Sequence, residues 1–195
     1  MSYKGTLVEN TAPASEPITL AEVQTHLRLD TTDSSEDSLI NQLIPSARKK
    51  AETYIDRALI NTTFIWYFET FEDKMVMPIG NMSSVSSVKY LDTDAAEQTL
   101  ASSVYQVDTK HQHGRVVLDD AQSWPSVHGV KVNPIYIEFV AGYGATAADV
   151  PDGIKDALLR MVGTLYEMRE DCSIDSPHLR TSRLLLDDFS LRFHT

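Results

Sequence analysis

Several runs carry residues of types that do chemistry, and each lacks the companions its chemistry requires. His111-Gln112-His113 could place one or both imidazoles on a metal, but no carboxylate or cysteine set accompanies it at a familiar spacing, and a turn is expected there. Asp92-Thr93-Asp94 begins like a calcium loop. Ala96 then stands where the third ligand belongs, and neither the loop glycine nor the terminal glutamate arrives in register, so the run predicts a hairpin turn. Gly142-Tyr143-Gly144 is neither a Walker loop nor a dinucleotide fingerprint, because the Lys-Ser/Thr and the third glycine are missing; it reads as glycines between a strand and a helix. Cys172 lies among Glu170, Asp171 and Asp175, a setting that disfavours the thiolate. No Gly-x-Ser-x-Gly elbow is present. The expectation is therefore no catalytic residue, no metal and no cofactor. The alternative, an enzyme with a dispersed site, would have to draw on Tyr105, Asp108, His111 and His113 converging in a pocket.

Bulk properties narrow the choice further. The chain has 195 residues, 42% apolar and 23% charged, which fits one globular domain with a single core. No run approaches the ~18 apolar residues of a membrane span, and the N-terminus lacks the pattern of a secretory signal, so the chain is expected in the cytoplasm where it is made. One cysteine can form no internal disulfide. Lys plus Arg is 17 against 28 Asp plus Glu, a formal charge of −11, the wrong sign for gripping phosphates along a surface. An acidic wall would instead let a duplex slide past without sticking.

The elements that must position these residues are legible in part. Residues 1–16 are polar and aperiodic, and read as an arm ordered only where something holds it. Thr19-Leu20-Ala21-Glu22 is a capping box opening a short helix that runs to about Arg28. Leu39, Ile40, Leu43, Ile44, Ala47, Ala51, Tyr54, Ile55 and Ala58 fall on one side at about 100° per residue and predict a long amphipathic helix. Pro45 should kink it or mark a joint between two helices. Asn41, Gln42, Arg48, Lys49, Glu52 and Asp56 form the opposite face, read as solvated. From 61 to 144 short β-branched and aromatic runs predict antiparallel strands at about 62–68, 74–77, 85–91, 104–108, 115–118 and 135–141, with Ile135, Ile137 and Phe139 on one face of the last. Pro151 opens a second strong helix bearing Ile154, Ala157, Leu158, Met161, Val162, Leu165, Tyr166 and Met168. The predicted fold class is α+β: a small helical core, two long amphipathic helices plus a short N-terminal one, with an inserted antiparallel β section.

At the end of the chain Phe189, Leu191 and Phe193 alternate with Ser190, Arg192 and His194, behind Leu184-Leu185-Leu186. Alternation of that kind predicts a strand, free to close its own sheet or to pair with an edge on another chain. Leu184, Leu185, Leu186, Phe189, Leu191 and Phe193 are accordingly the candidate partner-binding residues.

Three stretches resemble a known family. They are Pro17-Ile18-Thr19-Leu20-Ala21-Glu22-Val23 leading to His26-Leu27-Arg28-Leu29-Asp30; Val85-Ser86-Ser87-Val88-Lys89-Tyr90-Leu91-Asp92 with Tyr105-Gln106-Val107-Asp108; and Phe139-Val140-Ala141-Gly142-Tyr143-Gly144 followed by Val150-Pro151 and Tyr166-Glu167-Met168-Arg169-Glu170. In order and separation they resemble the head-tail connector, or adaptor, proteins of long-tailed bacteriophages and related prophages and gene transfer agents. The resemblance implies an adaptor domain over 17–170, with the β section of 61–144 inserted between helices, preceded by an arm (1–16) and followed by a docking tail (171–195). It implies a virion protein that forms a ring, usually of twelve copies, between the portal and a stopper or tail-terminator protein. Double-stranded DNA would pass through without specific binding, and no membrane is involved. A stopper or tail-completion ring protein is the neighbouring alternative.

Overall fold

The computed structural model describes residues 5–129, 132–168 and 179–191. The chain divides into two compact units, one built from the residues up to Pro13 with Asn61–Gly142, the other from Ala14–Ile60 with the residues from Tyr143 onward.

In the helical unit, α1 (Leu20–Leu27) starts as its capping box requires. The Thr19 amide donates to the Glu22 carboxylate at 2.6 Å and the Glu22 amide to Thr19 Oγ1 at 3.3 Å, so two otherwise orphaned donors are satisfied reciprocally. Arg28 ends the helix in the left-handed region at φ 57°. The long amphipathic helix is α2 (Asp37–Ile55). It runs through Pro45 as a single element, so the joint between two helices is not formed. Ile40, Ile44, Ala47, Ala51 and Ile55 are buried, with Leu43 and Tyr54 packed at the margin. Pro151 is the N-cap of α3 (Asp152–Glu167), whose Ile154, Ala157, Leu158, Met161, Val162 and Leu165 bury the facing stripe. Met168 lies past the helix and is exposed.

The polar face expected on α2 is solvated only in part, because Arg48 and Glu52 are both 8% exposed. Arg48 donates to Glu16 at 2.8 Å and to Glu52 at 3.1 Å, and the second Glu52 oxygen accepts the Leu59 amide at 3.0 Å. Charges survive burial only when paired and hydrogen-bonded, and here the partner arrives from the segment preceding α1. Further ties within this unit join segments distant in sequence. Ser15 Oγ donates to the Ala145 carbonyl, the Tyr143 amide donates to the Leu59 carbonyl, and Ile60 bridges Gly144.

The β unit holds a five-stranded and a three-stranded sheet, each wholly antiparallel. The strands are β1 (Thr6–Thr11), β2 (Thr62–Phe68), β3 (Lys74–Val76), β4 (Met82–Leu91), β5 (Glu97–Thr99), β6 (Tyr105–Asp108), β7 (Arg115–Leu118) and β8 (Ile135–Ala141). Their orders are β1-β2-β8-β4-β5 and β3-β7-β6. Ile135, Ile137 and Phe139 all face inward at 0% exposure, opposite Phe68, Trp66 and Phe64. A register shift between Val85 and Ser87 lets Val85 and Val88 of β4 stand opposite Phe139 and Ile137 on that same face, although they are three residues apart. Phe71, beyond β2, stacks on Trp124 at 4.6 Å and 3° and meets Phe68 and Tyr90 edge-on.

Thr6–Thr11, expected as an arm that something must hold, is held by main-chain pairing with β2. β5 carries no sequence signal, being three residues long and exposed throughout. The predicted C-terminal strand is overturned. Arg180–Asp187 forms α4, and beyond it Phe189 packs against the helical core while Leu191 is 2% exposed. Leu179, Ser182 and Leu186, all buried, recur at helical spacing, and that inward stripe prevails over the alternation that follows it.

Candidate docking surfaces

The polar residues singled out for chemistry are brought together, but into a turn. Tyr105 and Asp108 lie on β6, and His111 and His113 in the loop leading to β7. Asp108 accepts the Lys110 amide at 2.9 Å and the His111 amide at 3.3 Å on one oxygen, and Arg115 Nε at 2.8 Å on the other. The Lys110 amide, then the Arg115 guanidinium, hold this carboxyl below its usual range, and burial pushes the Tyr105 phenol up. The carboxylate thus closes a hairpin, and His111 is exposed. Among the described residues no group of three or more His, Cys, Asp or Glu could hold a metal ion. Cys172 lies outside the described residues.

Asp92-Thr93-Asp94 is the hairpin turn expected, between β4 and β5. Asp92 accepts the Gln98 amide group at 2.8 Å and the Ala96 and Asp94 backbone amides at 3.0 Å, contacts that lower its carboxyl. Ala95 takes φ 63° to complete the turn. Gly144 is required by a close approach: a Cβ there would lie 2.2 Å from Asp149 Cγ. The Asp149 carboxylate accepts both the amide and the hydroxyl of Thr146 at 2.9 Å, which keeps it ionised at lower pH than usual.

The tail candidates divide. Leu186 and Leu191 are buried in their own chain, and Leu185 and Phe189 pack at the edge of the helical core. Polar contacts fix them there: Tyr54 donates to Asp187 at 2.6 Å and Arg57 Nε donates to the Phe189 carbonyl at 2.8 Å. Gly153 leaves room for the Phe189 ring, whose carbons would stand 3.2 Å from a Cβ at that position. Leu184 faces solvent at 60% exposure. Phe193 lies outside the described residues.

Residues 17–110 match the phage gp6-like head-tail connector protein family. Among curated proteins none matches the chain. Three solved structures share the fold. A chain described as the neck of an empty gene transfer agent particle computed with C6 symmetry aligns at a TM-score of 0.80 and 22% identity, covering 95% of either chain. A chain in the virion of a native gene transfer agent particle gives 0.77 and 22%, again covering 95% of either chain. One in the neck of a native particle computed with C12 symmetry gives 0.73 and 21%, covering 95% of this chain and 94% of that one.

The matched span begins at Pro17, ahead of α1, and ends at Lys110 in the loop after β6, so α3 and α4 lie beyond it. On the helical unit α1, α3 and α4 border two shallow hollows. One of about 430 Å³ is lined by Ala21, Glu22, Thr25, His26 and Leu159. The other, about 580 Å³, shares His26 and includes Arg160, Gly163, Thr164, Glu167 and Thr181. Both are lined by side chains of mixed polarity. Among the described residues no helix is long and apolar enough to cross a membrane.

Proposed function

We propose that this chain is a structural adaptor at the head-tail junction of a tailed phage or gene transfer agent particle. It assembles there as a ring, of twelve copies, between the portal and a stopper or tail-terminator protein, and double-stranded DNA passes through the middle. The observation that carries this reading is the match of residues 17–110 to the head-tail connector family. Likeness over 95% of the chain to proteins described in the necks of gene transfer agent particles supports it.

The physical character of the molecule agrees. An adaptor works through surfaces and needs no catalytic step, and the residues of catalytic type here are engaged in turns: Asp108, Asp92 and Asp149 each hold backbone amides. A net charge of −11 suits a passage from which the duplex must be able to slide. The docked tail narrows the partner-binding candidates. Leu186 and Leu191 hold the chain's own core, so the outward face of α4, with Leu184, is the part of that segment offered to another chain.

The test is direct imaging. Purified chain mixed with portal rings of its own particle should appear in electron micrographs as a second ring seated on the portal. Chain that remains separate from the portal at concentrations well above those of assembly would exclude the adaptor role.

A further inference from the structure

The chain leaves the β unit and enters the helical unit between Pro13 and Ala14, and it is held differently on the two sides of that point. On the helical side Ser15 Oγ donates to the Ala145 carbonyl at 3.1 Å, Glu16 accepts from Arg48 at 2.8 Å, and Ile18 is buried. On the β side the grip is mainly that of the main chain, since Leu7 alone among the six side chains of β1 is partly covered. Ala12 and Pro13 lie between. Proline fixes its own φ near about −65° and keeps the residue before it extended, so this two-residue hinge aims the strand and leaves it little freedom to turn.

The pairing defines what fits the edge of β2. Thr6, Leu7, Val8 and Glu9 stand opposite Tyr67, Trp66, Ile65 and Phe64 in unbroken register. The register slips at Asn10 before Thr11 meets Thr63, so the misfit falls next to the hinge, where the strand must rejoin its own chain. Gly5 extends the match at the other end. Its φ of 145° favours glycine, and a Cβ there would stand 2.3 Å from the Tyr67 carbonyl oxygen.

Main-chain bonds in a fixed register are the same whichever copy supplies the strand. A short, stiff hinge favours the edge of a neighbour over the strand's own, and exchange needs no new surface. In a closed ring each copy gives one strand and takes one, so no β2 edge is left open. We propose that β1 is exchanged around the ring, Thr6–Thr11 of each copy pairing with Thr62–Phe68 of its neighbour in the register that the single chain shows. This rests on the ring reading above. Chain outside the ring keeps β1 on its own β2, and assembly moves it.

The experiment uses the full chain with Cys172→Ser, Val8→Cys and Ile65→Cys, the last two directly opposite one another, oxidised before and after incorporation into particles. Soluble chain should form a disulfide within one chain. Particles should give a ladder of covalent multiples of this chain in non-reducing denaturing gels, absent from either variant that carries one of the two new cysteines. An intrachain disulfide in the incorporated chain, a link to a different protein, or thiols left free where the soluble chain links would each overturn the exchange and leave the adaptor reading standing. Unaltered chain missing from the particles removes both. Thr6→Cys with Tyr67→Cys samples the same register through other side chains, with the same outcomes, and serves if the first pair fails to fold or to assemble.

Discussion

β1 and α4 stand near the two ends of the chain, and different forces hold them. β1 buries almost nothing: five of its six residues are exposed, Val8 at 44%, and main-chain bonds to β2 keep it in place. α4 is anchored by side chains, with Leu179, Leu186 and Leu191 at 2% exposure or less and polar ties from Tyr54 of α2 and from Arg57 just past it. A segment bound by backbone alone is sensitive to whatever blocks the approach of its main chain. One bound by apolar burial answers to volume. The difference also shows in what is left exposed, since β1 stands at the end of a sheet, whereas α4 spends one face on its own core and leaves Leu184 on the other.

Volume is the more costly to remove. Leu186→Ala should lower the stability of the chain by about 3 kcal/mol, seen as a lower denaturant midpoint, because a fully buried leucine loses both transfer energy and packing. Leu184→Ala, two residues away on the exposed side, should stay within about 0.5 kcal/mol. Equal losses from the two would mean that α4 does not dock as described. At the other end Gly5→Ala should cost about 2 kcal/mol, since φ 145° disfavours a side chain and a Cβ would stand 2.3 Å from the Tyr67 carbonyl oxygen. Its signature is local: amide exchange should speed up along β1 and remain unchanged in α4. Uniform acceleration across the chain would contradict a strand held mainly by its backbone pairing with β2.

The contrast also explains what could be read in advance. Period decided the successes: Ile40, Ile44, Ala47, Ala51 and Ile55 repeat at helical spacing, Ile135, Ile137 and Phe139 at strand spacing, and both patterns are buried as expected. Arg48 and Glu52 looked like solvent-facing charges because the residue that neutralises Arg48, Glu16, lies 32 positions away and outside any periodic window. β1 and β5 escaped because exposed strands carry no alternation to detect. On α4 the helical repeat passes through Ser182, a polar residue, while the apolar alternation beginning at Phe189 pointed to a strand. The hollow bordered by α1 and α3 was beyond reach for the same reason as Glu16: Thr25 and Leu159 line it together from opposite parts of the sequence.

The polar ties of α4 should matter less than its apolar anchor. Tyr54→Phe removes the hydroxyl that donates to Asp187 across a partly buried contact, and about 1 kcal/mol is the expected loss by chemical denaturation. A loss as large as that of Leu186→Ala would shift the weight of docking from volume to polar contacts.

The smallest effect distinguishes β1 from the opposite edge of its sheet. β5 follows a turn closed by Asp92, whose carboxyl is lowered first by Gln98 and then by the Ala96 amide. A carboxyl with a folded pKa below its unfolded value of about 4 leaves the unfolded chain binding more protons in acid. Its contribution is therefore complete above about pH 5 and fades as pH falls through about 4 and below. Asp92→Ala should accordingly be less stable than the unaltered chain at pH 7, and the gap between their denaturation midpoints should narrow as pH falls below about 4. Exchange at β5, and not at β1, should carry that difference, because the turn bonds restrain only the edge they lead into. A gap that stays constant across the acid range would show that the Asp92 carboxylate does not hold the turn through its charge.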